Sequence, residues 1–153
     1  MDTPPARPQN AEGVSSTLLL ENNLDELTTL NKWMNKLAKQ FGILPNDTFR
    51  LDLLLAESVT NVIQHAYTDK KSHQIKVTFH YRQNVIGLEV EDEGIPFNPL
   101  QNPEVVFPRS LDEASKGGLG IHLIRSYADE CEYKRENGKN IFTMIVKESS
   151  ANP

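Results

Sequence analysis

Three observations make this sequence an α/β chain. Apolar residues recur at helical spacing through Leu51–Tyr67, apolar and polar residues alternate at strand spacing through 74–82 and 86–92, and Asn137-Gly138 joins two further alternating runs as a two-residue hairpin turn. At 153 residues the chain is long enough to bury one core and reads as one domain. With 38% hydrophobic and 24% charged residues, it has the composition of an ordinary globular protein. The net charge of −5, with no basic run longer than Lys70-Lys71, argues against a nucleic-acid partner. No apolar stretch approaches the ~18 residues needed to span a membrane, and no signal-peptide core opens the chain, so no membrane partner is expected. The single cysteine, Cys131, excludes an internal disulfide and fits a reducing cytoplasm; its place in an alternating run reads as a packed thiol. His65, His73, His80 and His122 lack metal-ligand spacing, which rejects a zinc site.

Taken in order, residues 1–16 hold three prolines and almost no large apolar side chain, which predicts a disordered tail. Thr17–Glu21 is a short strand. Asn22-Asn23 offers a cap, and Leu24, Leu27, Leu30, Met34, Leu37 and Phe41 make a helix that stops at Gly42, with Pro45 just beyond. Asn46 or Asp47 is the expected cap of the second helix. On that helix Leu51, Leu55, Val62 and Ala66 form one stripe, widened by Leu54 and Val59. Glu57, Asn61 and Gln64 fall on another face, with Glu57 and Asn61 one turn apart and projecting the same way. A carboxylate and an amide oxygen so placed suit a magnesium ion beside a proton acceptor; a plain solvated face has the same pattern.

Strand 74–82 buries Ile75, Val77, Phe79 and Tyr81 on one face, and after a turn near Gln83-Asn84, Ile86, Leu88 and Val90 alternate likewise. Asp92 continues that phase. Either the strand persists and the carboxylate faces the core, where it needs a partner, or the strand ends at Glu91 and Asp92 opens the turn with Gly94. From Ile95 to Lys116 four prolines break any helix, yet Val105, Val106, Phe107 and Leu111 are too apolar for a linker, which favours a lid. Gly117-Gly118-Leu119-Gly120 then opens a helix carrying Ile121, Ile124 and Ala128 on one side. Glycines entering a helix N-terminus bring backbone amides to an anion; a flexible hinge is the alternative. Strands 131–136 and 140–147 form the closing hairpin, the second mostly buried, and Ser149–Pro153 should fray. The domain is therefore expected to run from 17 to 148.

The glycines make neither a Walker loop, since no Gly-Lys-Ser/Thr follows, nor a dinucleotide fingerprint, since Leu123 stands at the third glycine position. Glu57-Ser58-Val59-Thr60-Asn61 with His65-Ala66-Tyr67, then Asp92-Glu93-Gly94-Ile95-Pro96-Phe97, then Gly118-Leu119-Gly120 occur in that order. The ordered triple resembles the N-box, the Asp-x-Gly box and the second glycine box of the GHKL (Bergerat-fold, histidine-kinase-like) ATPases. Within that superfamily it is most similar to the anti-sigma-factor serine/threonine kinases, short domains with Glu at the head of the N-box. Pro96 departs from the pattern, standing where a second glycine is frequent.

The resemblance implies a two-layer sandwich, with a mixed, mainly antiparallel sheet covered on one face by helices and a long ATP lid. It implies that Asp92 accepts a hydrogen bond from the adenine amino group and that Gly94 lets the backbone pass the base. Asn61 would give one oxygen to Mg²⁺. Gly118, Leu119 and Gly120 would line the phosphates, with Lys116, or Arg109 as its rival, beside the γ-phosphate. Glu57 would be the general base for a partner's serine or threonine hydroxyl. His65 would support the site or simply pack at the helix edge. The implied cofactors are ATP and Mg²⁺, and the implied protein substrate is a STAS-type anti-anti-sigma factor, with a sigma factor as a second partner. The Leu24–Phe41 helix is the candidate homodimer surface. A nucleotide-binding or partner-switching module without catalysis is the alternative, against which the intact Glu57 argues; a sensor-associated kinase-like domain acting on another protein is the other.

Overall fold

The computed structural model describes residues 13–101 and 119–149. The elements are β1 (Val14–Glu21), α1 (Glu26–Phe41), α2 (Pro45–His65), β2 (Gln74–Arg82), β3 (Val85–Asp92), a single 3₁₀ turn (Pro99–Gln101), α3 (Leu119–Tyr127), β4 (Glu130–Glu136) and β5 (Lys139–Lys147). The strands form one sheet in the order β1-β2-β3-β5-β4, and each described pairing is antiparallel.

The alternation of the strands decides the layering. Ile75, Val77, Phe79 and Tyr81, then Ile86, Leu88 and Val90, then Phe142, Met144 and Val146 are all buried, in one core with Leu30, Met34 and Phe41 of α1 and Leu51, Leu55 and Val59 of α2. Of the intervening residues of β2, Gln74, Lys76, His80 and Arg82 are exposed and Thr78 alone is buried, so the helices cover one face only. Phe41 stacks on Tyr81 with ring centroids 5.0 Å apart, joining α1 to the sheet. Each fully buried Leu, Val or Phe contributes roughly 1.5–3 kcal/mol of burial.

Both hairpins turn through left-handed residues, Gln83 (φ 49°) with Asn84 (φ 66°), and Asn137 (φ 52°) with Gly138 (φ 76°). That pair of positive φ values matches the twist of the flanking strands. Gly42 ends α1 at φ 64°, its amide reaching back to the carbonyls of Ala38 and Lys39.

The helix starts differ from expectation. Asn22 does not cap α1: its Oδ1 accepts the His73 amide at 2.8 Å, tying the end of β1 to the start of β2. Asn46 and Asp47 do not cap α2 either. Leu44 occupies the cap position and Pro45 opens the helix, its fixed φ suiting the first turn. Asp47 is instead fully buried and accepts the Ser149 amide and hydroxyl, both at 2.8 Å. Ser149 is thus held where fraying was expected. β1 starts at Val14, three residues inside the stretch read as a tail, because the β2 ladder continues to Tyr81 and pairs with it.

Candidate functional site

α2 and the end of β3 build the site. β3 continues through Asp92, which pairs with Asn140 of β5 and is only 4% exposed. The persistent strand is therefore the correct alternative, and the carboxylate points into the helical layer. Its Oδ1 accepts the Gly94 amide at 2.8 Å and Asn140 Nδ2 at 2.9 Å. Burial pushes the Asp92 carboxyl above the usual carboxylate range; the Asn140 and Gly94 hydrogen bonds and the Arg135 charge act in the opposite direction.

A narrow cleft opens beside Asp92, walled by Ser58, Asn61 and Val62 of α2, by Val90 and Phe142 of the sheet, and by Phe97. Helical spacing puts Ser58, Asn61 and Val62 on this wall. Ser58 is spent structurally, donating to Met144 Sδ at 3.2 Å. Asn61 makes no side-chain hydrogen bond among the described residues. Glu57 lies one turn earlier on α2, beyond the lining of this cleft; it is half-buried, likewise has no hydrogen-bond partner among the described residues, and burial raises its pKa.

Gly94 has a structural reason to be glycine. Its amide caps the Asp92 carboxylate, and a Cβ there would stand 2.2 Å from the Ala66 carbonyl oxygen and 2.7 Å from the Ala66 Cβ. The turn presses against the end of α2, where Ile95 N–H donates to that same carbonyl at 2.8 Å. The loop beyond is fixed from the hairpin: Asn140 Nδ2 donates to the Ile95 carbonyl at 2.7 Å, Phe97 N–H donates to Asn140 Oδ1 at 3.2 Å, and Arg135 donates to the Gly94 carbonyl at 2.7 Å. His65 stacks on Phe97 with centroids 5.2 Å apart, a packing role at the helix edge. Tyr67, past the end of α2, accepts the Glu93 amide at 2.9 Å.

The structure thus brings Asn61 and Asp92 to one cleft, with Gly94 in the turn that follows Asp92 and Glu57 one helical turn away. Leu119 and Gly120 form the first turn of α3, which packs against α2. Lys116, Gly118, Arg109 and the expected lid from residue 102 onward lie outside the described residues. Asn140, Arg135 and Tyr133 were missed by sequence reasoning, though a signal existed for one of them. Asn140 stands in the apolar phase of Phe142, Met144 and Val146, the same anomaly that singled out Asp92.

Together these features define a class: a one-sided antiparallel sheet under helices, with a carboxylate-floored cleft between the central strand and the longest helix. The model of the histidine kinase-like ATPase domain matches residues 20–146, and the chain belongs to that family. Among curated relatives, the chain is 28% identical over 130 residues to a Bordetella bronchiseptica protein named serine/threonine-protein kinase BtrW, covering 85% of this chain and 92% of that one. It is 26% identical over 112 residues to serine-protein kinase RsbW of Bacillus subtilis, covering 71% and 70%. A solved structure of the RsbU and RsbW domains of a Mycobacterium tuberculosis protein superposes with a TM-score of 0.63 over 90% of this chain at 15% identity. This chain spans 33% of that larger one, and the likeness establishes the fold. Among the described residues no helix is long and apolar enough to cross a membrane.

Proposed function

We propose that the domain is an ATP- and Mg²⁺-dependent protein serine/threonine kinase of the anti-sigma-factor type, whose substrate is a STAS-type anti-anti-sigma protein and which also sequesters a sigma factor. The family implies ATP binding, and relatives named as serine-protein kinases support the reaction class. One observation carries the choice of a kinase over a pure binder. Glu57 is a half-buried carboxylate with no partner among the described residues and a raised pKa, on the helix that also lines the cleft. A carboxylate so placed can accept a proton from an attacking hydroxyl, which a pure binding module does not require.

In this reading Asp92, acceptor-only when ionised, takes the adenine amino group, and Val62, Val90 and Phe142 contact the flat faces of the base. Asn61, whose side chain has no hydrogen-bond partner among the described residues, fits an ion that takes few protein oxygens and completes its shell with phosphate and water. The ion would neutralise phosphate charge when bound. Glu57 receives the proton of the attacking hydroxyl, and the amides of Leu119 and Gly120 at the start of α3 face the phosphate chain.

The decisive experiment is calorimetric titration with ATP and ADP, with Mg²⁺ and with EDTA, beside the Asp92→Asn variant. Micromolar binding that Mg²⁺ strengthens is expected, and the variant should lose at least about tenfold in affinity, since an amide presents the wrong donor–acceptor balance to the base. Transfer of the γ-phosphate from labelled ATP to a candidate STAS protein then tests the kinase step. A folded chain that binds neither nucleotide sinks this reading.

A further inference from the structure

Asn140 is saturated. Its two amide protons go to Asp92 Oδ1 and the Ile95 carbonyl, and its Oδ1 accepts from Phe97 N–H and from the Tyr133 hydroxyl at 2.5 Å. An Asn side chain offers two donors and two acceptor lone pairs, so nothing is left for a ligand. Asp92 is the reverse case. Both of its hydrogen bonds land on Oδ1, and Oδ2 has no partner among the described residues. Tyr133 and Arg135, neighbours on β4, brace this arrangement, the first through Asn140 and the second through the Gly94 carbonyl.

We infer that Asn140 is a positioning residue for base selection: it turns Asp92 so that Oδ2 alone meets the base, and it pins Ile95–Phe97 as the wall of the cleft. The inference rests on the proposed nucleotide site and adds to it a residue that lines the same cleft but whose hydrogen-bonding groups are all committed to the protein. A carboxylate held this way accepts and does not donate, so it favours a base with an exocyclic amino group over one with a carbonyl at the same place. The groups around Asp92 are Tyr67 after α2, Lys76 on β2, Glu91 and Glu93 beside it, Arg135 on β4 and Lys139 on β5.

Asn140→Asp separates positioning from mere packing. It places two carboxyls at hydrogen-bond distance, which must share a proton. With the proton present, Asp92 still receives a donor; once it is lost, the two carboxylates repel and Asp92 turns. ATP affinity of Asn140→Asp should therefore fall by about tenfold from mildly acidic to mildly alkaline buffer, while the unaltered chain shows no such fall. Asn140→Ala should bind ATP about tenfold more weakly without that pH dependence, and its preference for ATP over ITP should shrink. A loss of packing alone would weaken ATP and ITP equally.

A second arm needs no nucleotide. Amide hydrogen exchange at Phe97 should rise about tenfold in Asn140→Ala, and less in Tyr133→Phe, while α1 stays as protected as before. The inference is overturned if Phe97 exchange is unchanged in both variants, or if Asn140→Asp keeps the pH profile and ATP-to-ITP ratio of the unaltered chain. If the unaltered chain binds no ATP, the kinase reading falls, and the exchange arm alone decides whether Asn140 holds the loop.

Discussion

Asp92 and Asn140 face each other across the β3–β5 ladder, with Asn140 Nδ2 2.9 Å from Asp92 Oδ1. Each interrupts an otherwise apolar phase of its strand, and each is 4% exposed. A buried polar group without a partner costs about 1–3 kcal/mol, so neither residue is stable in the core alone. Together they form a polar floor beneath α2, with Asp92 Oδ2 left without a hydrogen-bond partner among the described residues.

Glu57→Ala is expected to leave ATP affinity near that of the unaltered chain and to lower phosphate transfer by about 10²–10⁴-fold, the usual worth of a general base. Single-turnover transfer beside calorimetry separates the two effects. Transfer at wild-type speed would remove Glu57 from the mechanism.

The same residue predicts a pH effect on stability. Burial raises the folded-state pKa of Glu57, so ionising it opposes folding. Below the unfolded carboxylate pKa both states are protonated and no penalty exists; as pH rises through the raised folded value, the penalty appears. Glu57→Gln should therefore raise the melting temperature at neutral pH, and the gain should disappear in acid. Transfer by the unaltered chain should increase over the same window, as the base becomes ionised.

Gly94→Ala should destabilise the fold through the end of α2. The added Cβ would lie 2.2 Å from the Ala66 carbonyl oxygen, backbone that cannot swing aside. Overpacking of this kind costs about 1–3 kcal/mol, and about 2–4 °C of melting temperature accompanies each kcal/mol at this size. Thermal unfolding by circular dichroism checks it; an unchanged melting temperature would show that the turn can move.

Asp47 anchors the end of the described chain. Asp47→Ala removes the acceptor for the Ser149 amide and hydroxyl and a 3.3 Å ion pair with Arg50. Arg50 keeps its hydrogen bonds to the Tyr127 carbonyl, so a loss of about 1–3 kcal/mol is expected, with Ser149→Ala losing only part of it. Denaturant midpoints of the two variants, compared with the unaltered chain, test the order.

Much of the fold was legible because periodicity is a local property. The alternation over 74–82 and 85–92, the helical stripe from Leu51 to Ala66 and the Asn137-Gly138 turn each reflect backbone geometry acting on neighbouring residues. The caps were less legible. Asn22 and Asp47 have side chains suited to capping, but distant partners, His73 and Ser149, took them, and no local rule anticipates a bond across 51 or 102 residues.

The candidate site divides the same way. By itself the sequence determined that Glu57 and Asn61 share one side of a helix, because helical pitch fixes those directions. It put Asp92 in phase with the buried face of its strand while leaving open whether the strand reached it; the pairing with Asn140 settled that. Only the tertiary structure decided that Asn140 completes the Asp92 carboxylate, that Gly94 is glycine because α2 ends against it, and that Phe97 walls the cleft. Those contacts join segments that the chain alone keeps far apart, and they form only when the sheet's register brings β5 alongside β3.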